Sequence, residues 1–373
     1  MKLDLENYKT IHSPGYVIGI YNNGKYEEIV DGNREITPSV LECNGDTLYD
    51  IASLTKTYTT TLIYIAYEEG KLDLNATVKA IDNRFVHLDN VRIKDLLCHN
   101  QDIWTNGYLG DAKTKEGFYD ILFTAYVKNY FPTYVDTHYM ILSTILEKIY
   151  NTSYDKLLKE KIIDKLELKS TTVCPSGDNI ASNNYETLKG KRVENITPGT
   201  IHDTKARVAK SLGIFTGHAS IFATASDVIK FLKSYLDCSL LKKETIDMML
   251  EHNPINERNY EILKQYVPED EANIMLKNCA KQGIYPQLMK TYNFMGNRYK
   301  NDIDELNDVP RICSDNSVAF SGYTGPMYVI DFDSNVIVVI MCNVMHNTTI
   351  DRETRKKLTE EIMNTIYNQL YNQ

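Results

Sequence analysis

Metal-type cysteine spacing is missing from this chain of 373 residues: its seven cysteines (Cys43, Cys98, Cys174, Cys238, Cys279, Cys313, Cys342) form no C-x-x-C pair and are odd in number. A zinc site and a disulfide framework both drop out, and reduced thiols remain. Missing too is any excess of positive charge, because 41 Lys and Arg face 50 Asp and Glu for a net charge of −9. Such a surface is not attracted to nucleic acid or to an anionic membrane, so neither is expected as a partner. No uncharged run approaches membrane-spanning length, and Met1-Lys2-Leu3-Asp4-Leu5-Glu6-Asn7-Tyr8-Lys9 lacks the apolar core of a leader. The expectation is a cytoplasmic protein with no membrane span. Repeats and low-complexity linkers are absent, which favours a single domain over 1–373. Tryptophan occurs once, at Trp104, against 27 tyrosines. That usage, with abundant Asn and Lys, fits an AT-rich bacterial genome.

What is present is a globular composition, 43% hydrophobic and 24% charged, able to bury a substantial core. One stretch stands out: Asp50-Ile51-Ala52-Ser53-Leu54-Thr55-Lys56, followed by apolar residues at helical spacing. Ser53 and Lys56 lie three apart, so on a helix they share a face and Lys56 can take the serine proton. A serine hydroxyl needs such a base to become nucleophilic, and a helix start adds unpaired N–H groups that favour developing negative charge. The S-x-x-K spacing recurs at Ser153/Lys156 and Ser239/Lys242, both leading into charged amphipathic stretches. The first copy alone has an apolar setting, and it reads either as nucleophile and base or as an N-cap serine beside a surface lysine.

Taken in order, 15–21 and 26–30 around Asn22-Asn23-Gly24-Lys25 read as a β-hairpin, ended by Asp31-Gly32-Asn33. Residues 47–51 lead into the Ser53 helix, which should stop at Gly70. Short helices are expected over 91–100, 118–130, 139–150, 157–168 and near 225–232, with a polar loop over 183–199. The stretch 242–308 is charged and irregular, with breaks at Pro254 and Pro268. Three strands follow (318–320, 327–330, 336–341), then a final helix from about 351 to 371. Strands at both ends with helices between them imply an α/β (α+β) fold. Its antiparallel sheet is built from both chain ends and flanked by helices, with an inserted all-helical lobe. The sheet lobe spans roughly 1–75 and 300–373, the helical and irregular lobe roughly 76–299.

Several segments together resemble the class C β-lactamase-like serine hydrolases, the family that also holds penicillin-binding proteins, D-alanyl-D-alanine carboxypeptidases and esterases. Ile51-Ala52-Ser53-Leu54-Thr55-Lys56 resembles its first motif. Leu96-Leu97-Cys98-His99-Asn100 is similar to L-L-T-H-T, although Gln101-Asp102 stand where Ser-Gly is expected. Tyr134-Val135-Asp136 resembles the second motif, Y-x-N, with Asp136 in place of Asn. Ile201-His202-Asp203 and Gly213-Ile214-Phe215-Thr216-Gly217-His218-Ala219 resemble the V-H-D and G-x-x-G-H-A segments of one branch. The third motif, K-T-G or H-T-G, has two placements. Tyr323-Thr324-Gly325 would put Pro326, which has no N–H, where an oxyanion donor belongs. Phe320-Ser321-Gly322 fits the family spacing to Ile330-Asp331 and is preferred. It leaves the Tyr323 N–H as oxyanion donor beside that of Ser53. Cys342-Asn343 resembles the T-N pair after the last core strand, with Asn343 as a substrate contact.

The resemblance implies an acyl-enzyme route in which Ser53 attacks a carbonyl, Lys56 and Tyr134 share the proton, and water deacylates. Tyr134 would need a phenol pKa below its usual value of about 10, which a neighbouring Lys56 cation favours. Asp136 either pairs with Lys56, making it a poorer base, or is only structural. His99, His202 and His218 read as capping or core groups, since S-x-x-K chemistry needs no histidine. Trp104 either lines the cleft or pins its loop. Phe320 in place of a basic residue weakens recognition of a substrate carboxylate. The reading is therefore a serine hydrolase acting on a small ester or amide, without cofactor or metal. D-alanyl-D-alanine carboxypeptidase or class C β-lactamase is the alternative in the same class. A catalytically silent peptide- or metabolite-binding homologue is the alternative from another. Oligomeric state is not legible in the sequence.

Overall fold

The computed structural model describes residues 1, 3–129, 133–183, 185–188, 191–194, 197–251, 269, 292–293, 295–299, 308–346 and 351–372. Most of the stretch 242–308, including the breaks at Pro254 and Pro268, lies outside them.

Strands β1 (Gly15–Asn22) and β2 (Lys25–Glu35) form the expected hairpin, with Asn22 paired to Lys25 across the turn. Asn23 and Gly24 both take positive φ, 48° and 91°, the tight two-residue turn that Asn-Gly favours. β2 does not end at Asp31-Gly32-Asn33 but continues to Glu35 and pairs with β3 (Leu41–Glu42) through an irregularity at Asn33/Glu35. Gly32, at φ 81°, permits this close run, since a Cβ there would meet the Pro14 carbonyl at 2.2 Å. Next come β4 (Tyr49–Asp50), β5 (Asp102–Trp104), β6 (Tyr126–Asn129), β7 (Tyr185–Leu188), β8 (Lys191–Glu194) and β9 (Phe222–Ala223). Last are β10 (Arg298–Tyr299), β11 (Ser317–Ser321), β12 (Met327–Asp331) and β13 (Val336–Cys342).

The main sheet has seven strands in the order β10-β11-β12-β13-β1-β2-β3, every described pair antiparallel. It is assembled from both chain ends, as the sequence implied. Alternation along its strands builds two cores. Val17, Phe320, Tyr328, Val339 and Met341 join the core shared with the helices of the insertion. Tyr16, Ile18, Ile20, Val329, Val338 and Ile340 join a second core with Ile362, Met363, Ile366 and Tyr367 of the C-terminal helix (Arg352–Tyr371). Each such fully buried side chain is worth about 1.5–3 kcal/mol.

The insertion is mainly helical but also holds the small pairs β5–β6 and β7–β8, while β9 pairs back to β4. The helix expected over 118–130 ends at Phe123 (Lys115–Phe123). Tyr126-Val127 instead pair with Trp104 and Ile103, the β-rich side chains following the sheet rather than the helix. The loop expected over 183–199 contains the β7–β8 ribbon.

The helix after Ser53 runs Thr55–Glu68, with Gly70 at φ 68° just beyond it. It is buried almost all round despite five threonines, because each hydroxyl is satisfied. Thr57, Thr59, Thr60 and Thr61 pair with the phenols of Tyr328, Tyr154, Tyr139 and Tyr235 at 2.8, 2.7, 3.1 and 2.7 Å. Thr55 Oγ1 accepts from the backbone N–H groups of Ser220 and Ile221. Part of the tyrosine abundance thus serves to dock this helix.

Candidate active site

Ser53 sits in a single 3-10 turn, Ala52–Leu54, that runs straight into the Thr55–Glu68 helix. Its N–H lies in the first turn, where no intrahelical acceptor precedes it. Ala52 takes φ 45°, a left-handed conformation that costs a non-glycine residue about 1–2 kcal/mol. Asp50 holds this bend: one carboxylate oxygen accepts from Ala52 N–H at 2.8 Å and the other from His202 N–H at 2.8 Å. Burial pushes the Asp50 carboxyl up, although those two N–H groups pull the other way. Thr324 Oγ1 donates to the Asp50 carbonyl at 2.7 Å, and Ile51 N–H donates to the Ile221 carbonyl at 3.1 Å. Three distant segments therefore fix the strained turn that presents Ser53.

Lys56, 1% exposed, uses all three ammonium hydrogens. They go to Ser53 Oγ at 3.0 Å, Asp136 Oδ1 at 2.9 Å and the His218 carbonyl at 3.2 Å. Burial pulls the Lys56 pKa down, but the Asp136 carboxylate and the Tyr134 phenol more than offset it and the group stays above its ordinary value. Lys56 is an ammonium at rest. The Tyr134 ring centroid lies 4.9 Å from Lys56 Nζ, and the ring packs against His99 at 4.5 Å, Tyr292 at 5.9 Å and Phe320 at 6.4 Å. Ser53, Lys56, Tyr134, Asp136 and Phe320 thus meet at one place.

The end of β11 closes the other side. Ser321 ends the strand, and a Cβ on Gly322 would stand 2.8 Å from the Ile51 carbonyl and 3.4 Å from Ala52 Cβ. Only glycine allows that approach. A turn follows in which Gly325 N–H donates to the Gly322 carbonyl at 3.1 Å and Gly322 N–H to the Pro326 carbonyl at 2.7 Å. Gly322, not Gly325, is thus the glycine seated on the Ser53 turn. Tyr323 comes next, its ring 5.6 Å from His202 and 5.4 Å from the Arg355 guanidinium carbon.

Asn343 is not in the cleft. It is fully buried, donates to the carbonyls of Arg34 and Ser182 at 2.8 and 3.2 Å, and accepts from Ser13 Oγ at 3.1 Å. The Asn follows the last core strand as expected, but its amide is spent tying that strand to the 34 and 182 segments. Trp104 is 47% exposed, with Nε1 donating to Asp102 Oδ1 at 2.8 Å and Lys128 Nζ 3.5 Å over its ring. These contacts lie within the β5–β6 pair, which holds Trp104 on a strand where the sequence suggested a loop.

Behind Asp136 lie Lys205, which no motif singled out, and Asp203 and His218 from the two branch segments. Lys205 Nζ donates to Asp136 Oδ2 at 2.6 Å and stands 3.9 Å from Asp203. Asp203 caps the Thr204–Ser211 helix through Ala206 N–H at 2.8 Å and pairs with His218 Nε2 at 3.0 Å. Burial pushes both carboxyls up, but their cationic neighbours win. Asp203 is held at about 2, and Asp136 well below the usual carboxylate range by Lys56 and Lys205. Lys205 is raised, its burial outweighed by Asp136 and Asp203. Donor atoms of Asp136, Asp203 and His218 lie within 4.8 Å of one another, the one such trio among the described residues. The Lys205 ammonium already supplies the positive charge there, so we read no metal site. Beneath Tyr134, His99 and His138 share a 2.8 Å Nδ1···Nδ1 hydrogen bond. Burial drives both down, His138 to about 3, with the neighbouring imidazole and Lys56 adding to the effect at His99.

A model of the beta-lactamase family matches residues 6–361. The chain belongs to that family. It is a beta-lactamase-related serine hydrolase. N-acetylmuramyl-L-alanine amidase of Bacillus subtilis (strain 168) is 21% identical over 393 residues, covering 93% of this chain and 81% of the relative. Among solved structures, the octameric penicillin-binding protein homologue from Pyrococcus abyssi has a TM-score of 0.66 at 20% identity. That match covers 98% of this chain and 75% of the homologue. EstCE1, a hydrolase with promiscuous acyltransferase activity, has a TM-score of 0.69 at 16% identity over 94% of this chain and 93% of its own. No helix among the described residues is long and apolar enough to cross a membrane.

Proposed function

We propose that this beta-lactamase-family chain hydrolyses a small ester or amide through an acyl-enzyme on Ser53. The observation that carries it is the buried Lys56 ammonium 3.0 Å from Ser53 Oγ, set against Tyr134 on a strained turn. As Oγ bonds to the carbonyl carbon, the carbonyl electron pair moves to oxygen, opposite the N–H groups of Ser53 and Tyr323. The pair Lys56/Tyr134 first loses one proton to solvent; it then takes the serine proton and passes it to the leaving oxygen or nitrogen as that atom's bond to carbon breaks. Water, giving its proton to the same pair, then releases the acid and restores Ser53. Ser321 and Gly322 border the substrate, and Phe320 places an aromatic face where the family motif has a cation. Esters and amides without a free acid fit that pocket best. A reducing, cytoplasmic setting fits the six described cysteines, all of them free thiols.

One observation favours a second reading, a D-alanyl-D-alanine carboxypeptidase. Arg355 is 8% exposed and lies over the Tyr323 ring with Nη1 on the Met345 sulfur, so a substrate carboxylate that reached past that ring would meet a cation. Intact-mass spectrometry after a fluorophosphonate and, separately, a penicillin decides between them. A fluorophosphonate adduct lost in Ser53→Ala is the expected result. Penicillin labelling alongside it would move the assignment to the carboxypeptidase, and no adduct with either reagent would leave a binding protein on an enzyme fold.

A further inference from the structure

An acid at position 136 poses a problem for the chemistry just proposed. A full negative charge 2.9 Å from Lys56 Nζ would hold that lysine protonated, whereas the neutral amide of the Y-x-N motif could accept the same hydrogen bond without doing so. The fold brings an answer from elsewhere in the chain. Lys205, on the Thr204–Ser211 helix, places its ammonium 2.6 Å from the second Asp136 oxygen. Asp136 thus has one oxygen on each lysine, and both lysines are largely buried from solvent. We infer that Lys205 is a positioning residue which cancels the charge of Asp136, so that the Asp136–Lys205 pair acts on Lys56 as one neutral hydrogen-bond acceptor in place of the amide. This rests on the reading of Ser53 and Lys56 as nucleophile and proton carrier.

The other groups around Lys56 do not supply this balance. On its own element it meets Ser53, and from the segment before and inside the 137–150 helix it meets Tyr134, His138 and Tyr139. His99 faces it from the end of the Ile93–Leu97 helix, and His218 offers its backbone carbonyl, while the His218 imidazole lies within 4.8 Å of Asp136 but makes its hydrogen bond to Asp203. Asp203, the remaining acid, is committed to His218 at 3.0 Å and to Ala206 N–H, and stands 3.9 Å from Lys205. Lys205 is the group that reaches the free oxygen of Asp136. At 24% side-chain exposure it is screened only in part, so its charge acts at short range.

The sign of each change follows. Without the Lys205 cation, Asp136 acts on Lys56 alone and the lysine gives up its proton less readily. With Asn at 136 and Lys205 kept, an unbalanced cation pushes the lysine the other way. Removing both charges returns the count to that of wild type.

The test is the rate at which a fluorophosphonate labels the full chain, followed by intact mass from pH 5.5 to 10 for wild type, Lys205→Met, Asp136→Asn and the double variant. Expected is a rising limb moved up by about one pH unit in Lys205→Met, which is about tenfold slower labelling at pH 7. The limb moves down in Asp136→Asn and comes back toward wild type in the double variant. Lys205→Arg, which keeps the charge, should restore the limb that Lys205→Met displaces. A limb that stays in place in Lys205→Met, with any loss equal at every pH, would show Lys205 to be structural and overturn the inference. So would a double variant no better than the worse single one. If Lys205→Met fails to fold, Asp136→Asn against the double variant still reads the balance, since only a compensating Lys205 makes their limbs differ. Wild type that takes no label at all overturns the Ser53 reading itself and this inference with it.

Discussion

Ser53/Lys56 and Ser153/Lys156 have the same spacing and both open a helix, yet the fold treats them oppositely. Ser153 is the N-cap residue of the Tyr154–Leu158 helix, and Lys156 extends into solvent. Lys56 is 1% exposed and has each ammonium hydrogen assigned. A lysine in water gains about 0–1 kcal/mol from a surface pair. A buried one is governed by the charges placed around it. Spacing therefore sets only whether two side chains can reach each other, and the enclosing segments decide whether anything chemical follows. Ser239/Lys242 makes the same point, with both residues exposed.

The sharpest way to break this contrast is to remove each lysine. Lys56→Met should slow fluorophosphonate labelling of Ser53 by about 10²–10⁴-fold, the usual worth of a positioned proton carrier. Lys156→Met should leave the rate alone. Equal effects from the two would refute burial as the deciding difference.

A second, smaller effect concerns the backbone packed onto Ser53. Gly322→Ala puts a methyl 2.8 Å from the Ile51 carbonyl, so either the β11 end or the strained turn must move. We expect a loss of about 1–3 kcal/mol of stability, read from denaturant midpoints, together with slower labelling. Unchanged labelling at full stability would mean that the turn does not depend on this contact.

The smallest effect is a pH dependence from the histidine pair beneath Tyr134. In the folded state His99 and His138 resist protonation, whereas the unfolded chain takes up protons near pH 6.5. The unfolded state thus binds more protons as pH falls below 6.5, and stability present at pH 7 is lost from there down to the folded values, about 3 for His138. Between pH 7 and 5.5 each should cost about 1 kcal/mol. Thermal melts at the two pH values should show a smaller drop in His138→Gln than in wild type, and identical drops would remove the pair from the account. Lys156 has no such enclosed neighbours and should add nothing.

Much of the site was legible from the residues because its members lie in short runs. Ser53 and Lys56 are three apart, Tyr134 and Asp136 two, and counting from Gly322 to Asp331 chose between the two placements of the third motif. What escaped was contributed by segments far apart in the chain. Lys205 lies 69 positions from Asp136. No local pattern marks it, although an acid where an amide was expected was a signal to look for a cation. Asp50 was read only as the approach to Ser53, and its role as the clamp on Ala52 depends on His202. Asn343 failed for the opposite reason: its position after a core strand was right, but the neighbours at 34 and 182 claim its amide.

The sequence by itself determined the hairpin at Asn23-Gly24, the strands that close the sheet, the helix behind Ser53 and the pairing of Ser53 with Lys56. These rest on periodicity and turn chemistry within a few residues. Tertiary structure alone decided the left-handed bend at Ala52, the Thr–Tyr hydrogen bonds that bury the Ser53 helix, and the sharing of Asp136 between two lysines. Burial and charge compensation are properties of what surrounds a group, and those surroundings exist only once distant segments have come together.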